Sequence, residues 1–222
     1  MSPAPKLDSS LVISYLTLRK AVGVLGILLP FLVSLGALLI FHTRLQDSIS
    51  AYYYTGTRNV FVGTLWALGF FLFAYRGYER RDEIAGKLAW IFAVGTSLFP
   101  TAPECESCTY SRIVSDLHWT FAALLFLTLS YFSLFLFTLT DPLRTPTRRK
   151  LQRNKVYKAC GYTMLACILL VPVVKLIPAV AAAAGDYDPV FWLEAITIVA
   201  FGISWLTKGE AILGDQGRSP QF

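Results

Sequence analysis

Six apolar runs, each close to the length of a bilayer-crossing helix, constrain this chain more than any other feature. They occupy residues 21–41, 59–75, 84–100, 119–139, 160–180 and 189–207. A helix needs about 20 predominantly apolar residues to cross the hydrocarbon, with a range of about 17–25. The pattern predicts an all-α integral membrane protein, a bundle of six transmembrane helices. Composition agrees: 55% of the 222 residues are hydrophobic and 15% are charged, against about a quarter charged in a soluble domain. Three regions follow: a cytoplasmic or interfacial lead-in (1–20), the helical domain (21–207) and a flexible cytoplasmic tail (208–222). The opening "MSPAPKLDSS" lacks an apolar core, so the first span is expected to act as an uncleaved signal anchor. Pro30 predicts a kink in that span.

The net charge of +6 does not point to nucleic acid, because the basic residues flank the apolar runs. Sixteen of the twenty lysines and arginines fall on the side shared by the N-terminus, the second and fourth connections and the C-terminus. The other four are Arg44, Arg58, Arg112 and Lys175. The positive-inside rule then places both termini in the cytoplasm. A bacterial inner (plasma) membrane is the expected location. The fourth connection, "RTPTRRKLQRNKVYK" (144–158), reads as a topology determinant and as a partner for anionic lipid.

On this orientation most of the chemically versatile residues gather on the exoplasmic face. The first connection carries His42, Asp47, Ser48, Ser50, three consecutive tyrosines (Tyr52, Tyr53, Tyr54) and Arg58. The tyrosines suit the headgroup level, where an apolar ring carries a polar tip. Arg58 opens the second span, and with Ser48, Ser50 and Tyr53 it forms a candidate ligand-binding set for a phosphate or carboxylate. Lys175 and Glu194 lie at matched depth in consecutive spans, which predicts an ion pair at the same site.

Cys105 and Cys108 have disulfide spacing on an oxidising side. Asp116 and His118, in "SDLHW", form a candidate catalytic pair at the mouth of the fourth span. In an enzyme His118 would be the base or a metal ligand, with Asp116 orienting it. Zinc is the candidate cofactor, held by His42, His118 and Asp116, although two histidines are few for such a site.

Three segments carry a resemblance: "SISAYYYTGTRNVFVG", "FAYRGYERRDEIAGKLAWIFAVGTSLFPT" and "LHWTFAALLFLTLSYFSLFLFT". They resemble small six-span bacterial membrane proteins of unknown function, which are distantly similar to DRAM/Sfk-type proteins. The likeness covers roughly the first 140 residues. It implies a compact six-helix bundle with a role tied to lipids or membrane state. The matching positions are Ser48, Ser50, Tyr53, Arg58, Tyr75, Gly77, Pro100 and His118. A fainter similarity to ceramidase- and adiponectin-receptor-type hydrolases lacks their third histidine.

The first functional expectation is a lipid- or amphiphile-interacting protein, a sensor, scaffold or accessory subunit, with a polar exoplasmic pocket. The alternative is an intramembrane lipid hydrolase using His118 and Asp116. A small transporter with Lys175 and Glu194 on its path is the third reading.

Overall fold

The computed structural model describes residues 9–77, 79–103, 111–140, 145–184 and 187–214. Among them every regular element is helical. The long helices are α1 (Ser9–Phe41), α2 (Arg58–Phe73), α3 (Arg80–Leu98), α4 (Arg112–Tyr131) and α5 (Arg148–Leu176). A short α6 (Pro178–Ala184) precedes the last long helix, α7 (Pro189–Lys208). A 3-10 turn (Ser50–Tyr54) lies between α1 and α2, and a π turn (Phe132–Leu136) extends α4. Four segments are long and apolar enough to cross a membrane: Tyr15–Phe41, Arg112–Leu136, Arg148–Leu176 and Pro189–Lys208. By length and composition the chain is a membrane protein. The 16 residues of α2 span about 24 Å. In α3 the first turns carry Arg80, Arg81, Asp82, Glu83 and Lys87, which lowers its apolar character.

Local chemistry explains the boundaries. The Thr147 hydroxyl accepts from the Lys150 amide at 3.1 Å, a side-chain cap on the first turn of α5. The next residues are good helix formers with no Gly or Pro, so most of the basic segment 144–158 is helix and not loop. Pro178 ends α5: it disfavours helical geometry at the preceding residue, and Ile177 is extended at φ −100° and ψ 105°. At the start of α3 the Asp82 carboxylate accepts from the Glu79 amide at 3.1 Å. Residues 9–20, expected as a separate lead-in, continue into the first span as one 33-residue helix. Residues 1–8, Cys105, Cys108 and the tail from 215 lie outside the described residues.

The six long helices form a closed ring in which each packs on its chain neighbour and α7 returns to α1. The closure is tight. A Cβ on Gly202 would stand 2.7 Å from the Gly23 carbonyl oxygen, and one on Gly23 would stand 2.8 Å from that of Gly202. Small residues let helix backbones approach in lipid, where packing replaces the hydrophobic drive. At one end of the ring Tyr75, Phe132, Phe137 and Trp205 interlock, with Tyr75–Trp205 and Phe137–Trp205 centroids 5.1 and 5.2 Å apart. Basic side chains border this aromatic cluster. Arg19 lies over Tyr15 at 4.3 Å, and the Lys150 ammonium donates to the Phe137 carbonyl at 2.7 Å. Gly77 is needed beside it, because a Cβ there would sit 2.0 Å from Asp82 Cγ. The connection after α1 caps the opposite end.

Candidate functional site

The cap, residues 42–57, is folded onto the bundle by its own polar groups. The Ser48 hydroxyl accepts from the Ala51 amide at 3.2 Å and donates to Asp47 Oδ1 at 2.9 Å. It therefore caps the 3-10 turn. At the same turn the Ile49 amide donates to Glu194 Oε2 at 2.7 Å. Glu194 comes from α7, 145 residues away, and it is buried. A buried carboxylate demands hydrogen bonds, and the backbone of the turn supplies them.

The three tyrosines divide into three roles. Tyr52 is fully buried, packs against Phe191 with rings tilted by 56° and centroids 6.3 Å apart, and accepts from the Gln46 amide at 3.4 Å. Burial raises its phenol above the usual tyrosine range, so it stays neutral. The expected place at headgroup level does not fit Tyr52, because the turn that contains it is pinned to the bundle at Ile49 by Glu194. Tyr54 is exposed and donates to the Thr101 carbonyl at 2.7 Å, tying the first connection to the one after α3. Tyr53 receives a hydrogen bond from Arg58, whose guanidinium also lies over the Tyr53 ring at 4.0 Å. Exposed Arg58 and half-buried Tyr53 form a couple at the rim of the cap. Ser48 and Ser50 are buried and do not join it.

The Lys175–Glu194 pair expected from matched depth is replaced by two other contacts. Lys175 Nζ lies 3.7 Å from Asp47 Oδ2 and 4.7 Å from the Trp119 ring centroid. Matched depth fixes height along the bundle but not the direction in which each side chain points. The lysine turns outward toward solvent, and the carboxylate turns inward toward amides.

His118 lies inside α4, not at its mouth, because the helix begins at Arg112, seven residues before the expected 119. Its ring is buried. Nδ1 faces the carbonyls of Phe99 at 2.6 Å and Thr96 at 3.1 Å, so Nδ1 carries the proton and donates. Nε2 is buried with no partner among the described residues. Asp116 is exposed and does not orient His118, since residues two apart on a helix do not share a face. His42 is exposed at the end of α1, with φ 50°. Among the described residues no group of three His, Cys, Asp or Glu side chains gathers as a metal site. His118 holds the end of α3 against α4, and the expected catalytic corner is not assembled around it.

Among the described residues three hollows stand out. A cavity of about 50 Å³ lies under the cap, lined by Ser50, Thr96 and Glu194 among apolar side chains. A far larger groove of about 700 Å³ runs between α1, α5 and α7. Its walls include Leu35 and Leu38 of α1, Ala159 and Thr163 of α5, and Ala195 and Ile196 of α7. Its α1 and α7 walls face outward from the ring: Leu38 is 52% exposed and Trp192 is 54% exposed. Even Ser34 in its wall is satisfied internally, its hydroxyl donating to the Pro30 carbonyl at 2.6 Å. A third hollow of about 250 Å³, lined in part by Asp47, Lys175, Asp188 and Val190, adjoins the cap. The groove was not anticipated. Its signal in the sequence is the spacing 195, 196, 199, 200 and 203 on α7, one helical face of small and branched residues.

Comparison with protein-family models, with curated proteins and with solved structures finds no match to the chain.

Proposed function

We propose that this is a non-catalytic lipid-binding membrane protein, a six-span bundle with both termini cytoplasmic, in which the groove between α1, α5 and α7 holds an acyl chain. The observation that carries this is the groove: about 700 Å³, almost wholly apolar, and concave on the outer surface of the ring. That volume lies within the range of ligand sites, about 300–1,000 Å³. A bulk lipid meets a convex helical surface at few points. A chain in this groove meets three helices, and van der Waals contact is what distinguishes one apolar environment from another inside a membrane. The exposed Arg148, Lys155 and Lys158 on the first turns of α5 would meet anionic headgroups on the cytoplasmic side.

The test fills the groove. Ala159 is an exposed wall residue, and Ala159→Trp places an indole where the chain would lie. Native mass spectrometry after mild detergent extraction is expected to show roughly tenfold less co-purified lipid, equivalent to about 1.4 kcal/mol. The melting temperature in detergent should hold. Unchanged lipid retention in a variant that folds would overturn the reading.

A further inference from the structure

The wall that α5 gives to the groove is one short stretch, Ala159, Cys160 and Thr163. Ala159 and Thr163 belong to a helix face that continues toward the start of α5. Residues three and four apart on a helix are surface neighbours, with Cβ atoms about 5–6 Å apart. Arg148, Gln152, Lys155, Ala159 and Thr163 therefore follow one another along a single stripe, and all five are exposed. The stripe enters the groove at Ala159, and before that point it is polar. A helical side chain leans toward the helix N-terminus, so the Lys155 ammonium is carried toward Gln152 and Arg148, away from the apolar walls.

The change falls at a definite height. Lys175 and Val190 line one hollow beside the cap, which marks the cap level on both α5 and α7. Back along α5 from Lys175, the helical rise puts Ala159 about 24 Å away and Lys155 about 30 Å away. The second distance is about the thickness of the hydrocarbon core. Lys155 thus stands at the boundary opposite the cap, with Arg148 farther on at headgroup depth. Neither residue takes part in an ion pair among the described residues. Helix α5 contains no aspartate or glutamate, and its N-terminus adds a partial positive charge. The cap end of the groove offers less to an anion. Its walls there are Leu38, Leu45, Phe191 and Trp192. The cation beside them, Arg44, has an interaction of its own, and Lys175 is turned to Asp47.

We infer that the lipid in the groove is an anionic phospholipid, its phosphate at Arg148 and Lys155 and one acyl chain running up the groove toward the cap. On the proposed topology it comes from the cytoplasmic leaflet. The inference rests on the groove reading above and adds the headgroup class and the direction of the chain. A zwitterionic headgroup brings an ammonium that finds no carboxylate on this face and meets two cations. A lipid without a phosphate leaves both cations unused.

The experiment uses the full chain, delipidated in mild detergent, with three probes of matched acyl chains: phosphatidylglycerol, phosphatidylethanolamine and diacylglycerol. Native mass spectrometry reads retention in equimolar competition, and phosphatidylglycerol is expected to exceed the other two by roughly tenfold. Arg148→Gln combined with Lys155→Gln should bring phosphatidylglycerol down to their level. Arg44→Gln, at the other mouth, should leave the order as it is. Direction is read with phosphatidylglycerol carrying a photoreactive diazirine. Placed at the chain end, it should label Leu38, Leu45 or Trp192; placed beside the glycerol, it should label Ala159 or Thr163. Reversed labelling, or a preference lost in Arg44→Gln and kept in the double variant, overturns the direction. Equal retention of the three probes, or preference for phosphatidylethanolamine, overturns the headgroup class, and the groove still stands if Ala159→Trp lowers every probe. If Ala159→Trp lowers none of them, the groove reading itself fails.

Discussion

Glu194 is a buried carboxylate that accepts a hydrogen bond from the Ile49 amide at 2.7 Å and so fastens the cap to α7. Removing the acceptor leaves a buried donor unsatisfied, at a cost of about 1–3 kcal/mol. Glu194→Ala is expected to lower the melting temperature and to speed proteolysis within residues 42–57. Glu194→Gln retains an amide oxygen that can accept, and should cost less. Equal protease resistance in Glu194→Ala and the unaltered protein would show that the cap is held elsewhere. At this scale the sequence marks Glu194 as unusual, since a carboxylate in an apolar run needs a partner. It does not name the partner, because a backbone amide 145 positions away has no signature in residue type. The same holds for His118, whose partners are two carbonyls.

The helices follow from apolar patterning, and their ends follow from caps and prolines. The expected second, third and sixth runs differ from α2, α3 and α7 by at most a few residues. Larger differences fall where charged residues are helical. Hydropathy reports the buried-in-lipid part of a helix, whereas α4 and α5 extend beyond it through Arg112 and Arg148. The contact of α1 with α7 depends on Gly23 and Gly202. Gly202→Leu places a branched side chain against the facing backbone, which must separate. Overpacking of this kind costs about 1–3 kcal/mol and here involves backbone on both sides. A fall in melting temperature and loss of the folded peak in size-exclusion chromatography are expected. Gly63, with nothing within 4 Å of an added Cβ, is the control, and Gly63→Ala should leave both readouts unchanged. Equal behaviour of the two variants would refute the close approach.

For the whole molecule, α7 packs back on α1. The six-span topology proposed above puts both ends of the chain on one side, and the charge asymmetry of the sequence predicts that this side is cytoplasmic. A reporter fused after Phe222 should then be protected from protease added to intact cells. Thr43→Cys, in a background lacking the native cysteines, should react with an impermeant maleimide under the same conditions. The opposite pattern would reverse the orientation and place residues 42–57 on the cytoplasmic side.

Residue order by itself determined that this chain is helical and membrane-embedded, and where most helices run, because length, hydropathy and capping are local properties written in consecutive residues. It also marked the segment 42–57 as exceptional for its density of polar and aromatic side chains. The tertiary structure decided what that density does. Tyr52 and Ser48 face inward, Glu194 meets Ile49, Lys175 meets Asp47, and a groove of about 700 Å³ opens where α1 and α5 flank α7. These arrangements depend on the rotation of each helix about its axis and on the separation of helices in the ring. Both are set by the mutual fit of side chains far apart in sequence, and no single stretch of residues encodes them.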